Sequence, residues 1–201
     1  MKKVMFIGAH PDDIELSCGG LMKKLKDSGV EIFPVICTWG TYGGNVGERI
    51  REQEKSFSQL SIREYTNLIW DDTKISVTGG NIRLLEEIIS EQNPDFIFTH
   101  YPNDTHQDHR AVAEMVKSIC YRKNKSLIYF DSNSSIGFVP NYFESIDWEH
   151  KEGLLKIFKS QVSRSNILEK AEAKNKLHGI QSGNNYAEGY IVERMVGNMF
   201  P

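Results

Sequence analysis

Two short clusters of histidine and acidic residues carry most of the chemistry that this sequence offers. The first reads Gly-Ala-His-Pro-Asp-Asp at residues 8–13, and the second reads Asp-Thr-His-Gln-Asp-His at residues 104–109. Two imidazoles and one carboxylate, with a position left open to water, are a standard ligand set for a catalytic divalent metal. Such a metal lowers the pKa of its bound water and polarises a carbonyl oxygen. The clusters therefore predict a metal centre built from two distant parts of the chain.

Spacing within the clusters separates candidate ligands from the other polar residues. His10 and Asp13 lie three residues apart across a proline, so both can face one point where the chain enters a helix. His109 lies four residues past Thr105, within the first turn of the helix that is predicted to begin there. We therefore predict that His10, Asp13 and His109 bind the metal.

The polar residues left over have types that suit the remaining tasks of such a site. Asp12 suits a general base, and His106 suits a group that stabilises an oxyanion. Asp108, close to His106 in the sequence, could fix the tautomer of that ring and favour its cationic form. These three residues are the predicted catalytic residues.

A purely structural interpretation of the same acids is helix capping. Asp12 or Asp13 could cap a helix that begins near Ile14, because acids suit the N-terminal end of the helix dipole. Thr105 and Asp108 have the spacing of a capping box. Five ionisable groups at one predicted edge of a sheet are, however, more typical of a metal or catalytic site than of two caps.

The elements that must position the clusters alternate between strands and helices. Short apolar runs predict strands at Lys3–Ala9, Glu31–Thr38, Asn67–Trp70, Asp95–Thr99, Ser126–Phe130 and around Tyr190–Glu193. Helical spacing predicts helices between them, among them Glu48–Leu60, a helix that opens at Gly79, and Thr105–Tyr121. This order predicts a single α/β domain over residues 1–201 with a mostly parallel sheet covered on both faces. Each cluster follows a strand, at the carboxyl edge where functional groups gather.

Two segments fit this pattern less well. Pro34 lies inside a predicted strand and indicates a sheet edge or a bulge. Residues 131–146, rich in Asn, Ser and Gly, form the one long stretch predicted to be irregular, and loops of that length are often functional.

Composition excludes several classes of protein. The 201 residues hold 24 Lys and Arg against 27 Asp and Glu, so charge gives no reason to expect nucleic acid or an anionic membrane as a partner. No apolar run approaches the roughly 18 residues that a membrane span needs. Three cysteines without a secretory signal predict reduced thiols and a cytoplasmic location. A homo-oligomer is left open.

At this point the motifs resemble a known family. Residues 9–20 (AHPDDIELSCGG) and 102–109 (PNDTHQDH) resemble the PIG-L-like (LmbE-like) family of zinc-dependent N-deacetylases, which act on N-acetylglucosaminyl conjugates and related acetamido sugars. Arg49-x-x-Glu52 and Tyr186-Ala-Glu-Gly also look like family features. Ile14 and Gln107 depart from the commonest family pattern, but neither departure removes a proposed ligand.

The resemblance implies a Rossmann-like three-layer fold and a reaction. Zinc would be held by the three predicted ligands, although two histidines and one aspartate also suit Fe²⁺. Asp12 would activate the zinc-bound water, and His106, oriented by Asp108, would stabilise the tetrahedral oxyanion. The implied substrate is a small acetamido sugar, which would lose its acetyl group as acetate.

Other functions compete with this interpretation. A non-heme iron oxygenase could use a His/Asp/His triad, but that chemistry usually sits in a jelly roll rather than an alternating α/β chain. A dinucleotide-binding module would need a Gly-x-Gly-x-x-Gly turn, and the first strand is followed by GAHPDD instead. A family member that binds sugars without turnover is the third alternative.

Two further features lie close to the predicted site. The glycine-rich loop at residues 40–47 follows the second predicted strand, and Arg49 is the cation that we expect to contact a substrate phosphate or hydroxyl. The structural alternative for Arg49 is a surface pair with Glu52 or Gln53 at helical spacing. His100, at the end of a strand, could line the site or form a hydrogen bond inside it.

Overall fold

The computed structural model describes residues 2–197, and a seven-stranded sheet lies at its centre. The strands are β1 (Lys3–Gly8), β2 (Glu31–Ile36), β3 (Thr66–Asn67), β4 (Phe96–His100), β5 (Ser126–Phe130), β6 (Tyr142–Ser145) and β7 (Ala187–Arg194). Their spatial order is β3-β2-β1-β4-β5-β7-β6. The first five strands run parallel, and β7 and β6 are added antiparallel at one side.

Seven helices connect or cover the strands within the described residues. They are α1 (Asp13–Asp27), α2 (Val46–Gln59), α3 (Gly79–Gln92), α4 (Gln107–Arg122), α5 (Trp148–Leu155), α6 (Lys159–Val162) and α7 (Ile167–Ser182). Within residues 2–197, no helix has both the length and the apolar character that crossing a membrane requires.

The central strands are buried on both faces of the sheet, and each face has its own apolar core. Along β1, Val4 and Phe6 join a core with α1, α2 and α5, whereas Met5 and Ile7 join a core with α3 and α4. Successive strand residues point to opposite faces, so one apolar run supplies both layers. The predicted α/β fold with three layers is confirmed.

Pro34 has no backbone N–H, and it lies where this absence removes no hydrogen bond between neighbouring strands. The amide of Cys37 donates to Gly8 O on β1, whereas Leu68 N donates to Ile36 O from the β3 side. Because backbone groups alternate along a strand, the nitrogen of Pro34 faces away from β1. There β3 pairs only with Val35 and Ile36, so Pro34 lies at an uncovered part of the edge.

The 131–146 segment contains a strand that the sequence prediction missed. Tyr142–Ser145 pairs antiparallel with β7 at the end of the sheet, so the prediction of an irregular stretch up to residue 146 was wrong there. All four residues are only partly buried. An edge strand of this kind carries no continuous apolar run, which was the signal used to find the other strands.

The strand order reverses between β1 and β4, and this reversal positions the site. The chain builds outward from β1 through β2 to β3 on one side, and from β4 to β5 on the other. In open α/β sheets the crevice at such a switch point, beyond the carboxyl ends of the strands, is where ligands bind. The first cluster follows β1 and the second follows β4, so both lie at this crevice.

Candidate active site

The two clusters meet above the carboxyl ends of β1 and β4. The rings of His10 and His106 lie 4.7 Å apart between centroids, and those of His106 and His109 lie 4.6 Å apart. They line a cavity of about 380 Å³. Its wall also includes Asp12, Asp13, Gly40, Tyr42, Gly43, Arg49, Asp72, Ser132, Asn133, Ser134 and Gln161.

Buried carboxylates hold one nitrogen of each candidate ligand histidine. His10 Nε2 lies 3.1 Å from Asp72 Oδ1 and 3.1 Å from Asp108 Oδ2. On the other cluster, His109 Nδ1 lies 3.1 Å from Asp104 Oδ2. Histidines that bind metals in proteins usually direct their second nitrogen to a carboxylate or carbonyl in this way.

The nitrogens left over converge on a single carboxylate. His10 Nδ1 lies 3.3 Å from Asp13 Oδ2, and His109 Nε2 lies 3.5 Å from Asp13 Oδ1. Asp13 Oδ2 also accepts the backbone N–H of His10, at 2.7 Å, so its carboxylate is fixed within the turn. Both nitrogens thus lie close to the carboxylate of Asp13, as the spacing of the first cluster predicts for His10 and Asp13.

The site favours positive charge. Burial opposes an ionised imidazole, yet hydrogen bonds to Asp108, Asp13 and Asp72 outweigh it and raise the pKa of His10 to about 11. Burial is likewise outweighed at His109, where the charge of Asp13 and the hydrogen bond to Asp104 raise the pKa to about 9. A divalent cation supplies the charge that these protons otherwise provide, so the donor set fits a metal.

Asp12 lies next to Asp13 in the chain, but its side chain is not used to cap the helix. It occupies the N-cap position of α1 with φ 84°, and its side chain makes no capping hydrogen bond. A left-handed conformation at an aspartate costs about 1–3 kcal/mol and is concentrated at functional sites. Burial, helped by the charge of Asp13 and opposed by Arg49, raises the pKa of Asp12 to about 7.

His106 caps α4, and this role fixes its tautomer. Its Nδ1 accepts the backbone N–H of Asp108 at 3.2 Å, and its backbone N–H donates to Asp104 Oδ1 at 2.8 Å. The cap is therefore His106 rather than Thr105. Because Nδ1 is an acceptor, the proton of the neutral ring is carried by Nε2. Burial and the neighbouring His109 and His10 lower the pKa of His106, which favours the neutral ring.

The carboxylate of Asp108 has different partners from those predicted. It binds His10 and accepts the backbone N–H groups of Thr73 and Ile75, at 2.8 and 3.1 Å. The sequence prediction placed it on the ring of His106. His106 is the N-cap residue with an extended backbone, whereas Asp108 lies in the first turn of α4, so the two side chains leave the backbone in different directions. The backbone amide of Asp108, rather than its carboxylate, orients His106.

Arg49 is buried against Asp12. Its Nη2 donates to the carbonyl oxygen of Pro11 at 2.8 Å and lies 3.4 Å from Asp12 Oδ1. A Cβ on Gly43 would overlap Nη1, so the guanidinium would have to move if any other residue stood there. Of the partners in the alternative surface pair, Glu52 accepts the N–H and hydroxyl of Ser160, and Gln53 contacts Asp12 and Glu15. The predicted contact of Arg49 with substrate stays a prediction.

The sequence analysis assigned no role to Asp72 or Asp104, and it left two roles open for His100. Asp72 follows the two-residue β3, and no local motif marks it. Asp104 begins the second cluster, and the habit of carboxylates to support ligand histidines could have assigned it. His100 accepts the backbone N–H of Ala9 at 2.9 Å and stacks on His109 with centroids 3.9 Å apart, so of its two expected roles it performs the internal hydrogen bond.

Comparisons with known proteins place the chain among deacetylases. The family model described as GlcNAc-PI de-N-acetylase (PIG-L) matches residues 5–120. The chain is 32% identical to the uncharacterized deacetylase YaiS of Escherichia coli (strain K12), over 74% of this chain and 84% of that protein. It is 26% identical to a diacetylchitobiose deacetylase of Thermococcus kodakarensis, over 94% of this chain and 82% of that protein.

Solved structures share the fold at low sequence identity. The conserved protein TT1542 of Thermus thermophilus superposes with a TM-score of 0.88 at 22% identity, covering 99% of this chain and 98% of that one. GalB, a 4-carboxy-2-hydroxymuconate hydratase of Pseudomonas putida KT2440, superposes with a TM-score of 0.82 at 15% identity, with full coverage of both chains. Since one of these folds carries a hydratase, the activity must be argued from the site.

Proposed function

Because the chain belongs to the GlcNAc-PI de-N-acetylase (PIG-L) family, we propose that it is a metal-dependent hydrolase that removes the acetyl group from an N-acetylglucosamine-type sugar. The products are acetate and the free amine. The observation that carries the proposal is the convergence of His10 Nδ1 and His109 Nε2 on Asp13, at 3.3 and 3.5 Å, beside the carboxyl group of Asp12. That arrangement supplies both a ligand set and a proton acceptor.

The proposed metal ligands are His10, Asp13 and His109. Zn²⁺ suits two imidazoles and a carboxylate, and Fe²⁺ can bind the same donors. When bound, such a metal polarises the acetamide carbonyl and acidifies a water molecule. Asp104 holds the outer nitrogen of His109, while Asp72 and Asp108 hold that of His10, so each ring keeps its orientation before the metal arrives.

Asp12 and His106 carry the proton and charge transfers in this proposal. Asp12 accepts a proton from the attacking water, and the new C–O bond forms at the acetamide carbon. His106 presents Nε2–H to the carbonyl oxygen as negative charge develops there, since its Nδ1 is occupied by the Asp108 amide. When the C–N bond breaks, one proton passes to the nitrogen, so water plus amide gives acetate plus amine.

The polar groups of the cavity support a sugar as the ligand. Its volume of about 380 Å³ and its wall of carboxylates, serines and imidazoles offer many hydrogen-bond partners for hydroxyl groups. Relatives named for diacetylchitobiose, N-acetyl-α-D-glucosaminyl L-malate and an inositol-linked acetamido sugar share the N-acetylglucosamine unit. We therefore place the acetamido group at the histidines and leave the rest of the sugar toward Tyr42 and Arg49.

The direct experiment is a panel assay on purified protein loaded with Zn²⁺ or Fe²⁺. Candidate substrates are N-acetylglucosamine, diacetylchitobiose, and N-acetylglucosaminyl conjugates of malate and inositol, with acetate and primary amine both measured. We expect equal amounts of acetate and amine from at least one compound, and loss of activity after chelation. Absence of amine release from the whole panel by metal-loaded protein, or water addition to an unsaturated acid instead, would contradict the proposal. Sugar binding without turnover would support the non-catalytic alternative.

A further inference from the structure

A stripe of buried polar residues on α2 contacts the turn that carries Asp12. Arg49, Gln53 and Ser56 follow one another at four- and three-residue spacing, so they share a face of the helix. All three are buried, and Gln53 and Ser56 are fully excluded from solvent. Buried polar side chains are costly unless their hydrogen bonds are made, so this stripe needs partners on the neighbouring turn.

Gln53 joins two groups of that turn with its amide. Its Oε1 accepts the backbone N–H of Asp12 at 3.2 Å, and its Nε2 donates to Glu15 Oε1 at 2.5 Å. The same oxygen of Glu15 also accepts the hydroxyl of Ser56 at 2.6 Å. Glu15 is fully buried and lies two residues beyond the proposed ligand Asp13.

The direction of the Gln53 amide is dictated by its partners. The backbone N–H of Asp12 can only donate, so the oxygen of the Gln53 amide must face it, and the NH₂ group must then face Glu15. That oxygen meets the one backbone amide of the turn that lies in a left-handed conformation, at φ 84°. This hydrogen bond therefore stabilises the backbone at the residue of the turn that has a strained conformation.

We propose that Gln53 is a positioning residue for the base Asp12, and that Glu15 orients the amide of Gln53 for this task. The inference rests on the proposed deacetylase function for its kinetic consequence, although the hydrogen bond itself does not depend on activity. Gln53 touches the backbone of Asp12 and no reacting group. Its loss should displace the base without removing the metal ligands.

The main variant is Gln53→Met, which keeps the length of the side chain and removes the amide. We expect kcat to fall by about 10- to 100-fold, because small misplacement of a catalytic group has effects of that size. The KM and the bound metal per chain should stay at wild-type values. A drop in metal content in proportion to kcat, or an unchanged kcat, would overturn the proposal.

A swapped pair tests the hydrogen-bond pattern itself. Gln53→Glu alone sets two carboxyl groups against each other and should lower kcat. Adding Glu15→Gln restores one donor facing one acceptor, with the same total charge as the wild type, and should recover most of the lost kcat. A double variant as slow as Gln53→Glu would show that the amide pattern does not matter.

A matched destabilising variant separates positioning from folding. Phe57→Leu removes packing from the next position of α2, and Phe57 belongs to the apolar core rather than to the site. It should lower the melting temperature while kcat stays near the wild-type value. If Phe57→Leu lowers kcat as much as Gln53→Met does, Gln53 has only a structural role.

Amide exchange tests the contact even if no deacetylase activity is found. In Gln53→Met the backbone N–H of Asp12 loses its acceptor and should exchange about tenfold faster or more by NMR. The N–H of Ser28, which donates to Lys24 O at 3.0 Å at the other end of α1, is the internal control and should be unaffected. Unchanged exchange at Asp12 would contradict the positioning role of Gln53, whereas failure of the substrate panel would contradict only the proposed function.

Discussion

The guanidinium of Arg49 lies against the carboxylate of Asp12, with Nη2 3.4 Å from Oδ1, instead of reaching into the cavity as a free cation. The same nitrogen donates to the carbonyl oxygen of Pro11, which precedes Asp12 in the chain. Arg49 therefore both holds the turn and opposes the rise in the pKa of Asp12 that burial causes. This pairing makes the protonation of the proposed base depend on a residue of a different element.

Removing this cation should move the pH dependence of the reaction. Asp12 acts as a base only when ionised, and the charge of Arg49 lowers its pKa. In Arg49→Met the pKa of Asp12 should rise, so the acid limb of the kcat profile shifts to higher pH and activity at neutral pH falls. Arg49→Lys keeps a positive charge and should shift the limb less. Profiles are recorded from about pH 5 to about pH 9, on either side of the Asp12 pKa of about 7. Acid limbs that coincide in all three proteins would contradict the prediction.

Replacing the base itself should separate turnover from metal binding. Asp12→Asn preserves the shape of the side chain and removes its ability to accept a proton. We expect kcat to fall by about 10²- to 10⁴-fold, the usual contribution of general base catalysis. The metal content, measured by elemental analysis, should remain that of the wild type, because Asp12 is not a proposed ligand. A near-wild-type rate would exclude Asp12 as the base.

The outer carboxylate of the second cluster should control metal affinity. Asp104→Asn keeps an oxygen that can accept the backbone N–H of His106, but it removes the charge that faces His109 Nδ1 at 3.1 Å. We expect metal affinity to fall by about 10- to 100-fold, as is usual for such partners. Competition with a chelator measures this. His109→Ala should lose the metal altogether, so equal affinities for the two variants would contradict the proposed ligand assignment.

The sequence was sufficient to place the two clusters and insufficient to pair all their members. His10 and His109 could be brought together because each follows a short apolar strand, and parallel strands end at one edge. Asp72 was missed because its closeness to His10 comes from the lateral order of β3, β2 and β1, which no local motif encodes. The predicted partner of Asp108 was wrong because His106 is the N-cap of α4, and its ring accepts the backbone N–H of Asp108 instead of contacting the carboxylate.

The late motif Tyr186-Ala-Glu-Gly has a structural explanation in a buried ion pair. Glu188 Oε1 lies 2.6 Å from Lys151 Nζ, and its two oxygens accept the backbone N–H groups of Gly20 and Leu21. A Cβ on Gly189 would lie 2.7 Å from the ring of His178, which explains the glycine. The motif thus connects β7 to α1 and α5.

Breaking this pair should destabilise the fold without altering the chemistry. Lys151→Met leaves the charge of Glu188 buried without a counterion, which typically costs about 3–5 kcal/mol. Adding Glu188→Gln removes that charge and should recover part of the loss. Urea unfolding of metal-free protein measures both. A loss below about 1 kcal/mol, the size typical of exposed pairs, would show that the pair is not a major support.

Tyr42 should contribute to substrate affinity rather than to turnover. It lines the cavity and is 72% exposed, and its backbone N–H donates to Asp72 Oδ2 at 2.7 Å, which holds this residue at the rim. Aromatic contacts contribute about 0.5–1.5 kcal/mol, which corresponds to a rise in KM of about 2- to 13-fold in Tyr42→Ala, with little change in kcat. Tyr42→Phe keeps the ring and should keep most of the affinity.

The control is Tyr121, near the far end of α4 and about 20 Å along the helix from its first turn. Tyr121→Ala should leave KM unchanged. A KM that is unchanged in Tyr42→Ala, or that rises equally in Tyr42→Phe, would show that the ring does not contact the sugar.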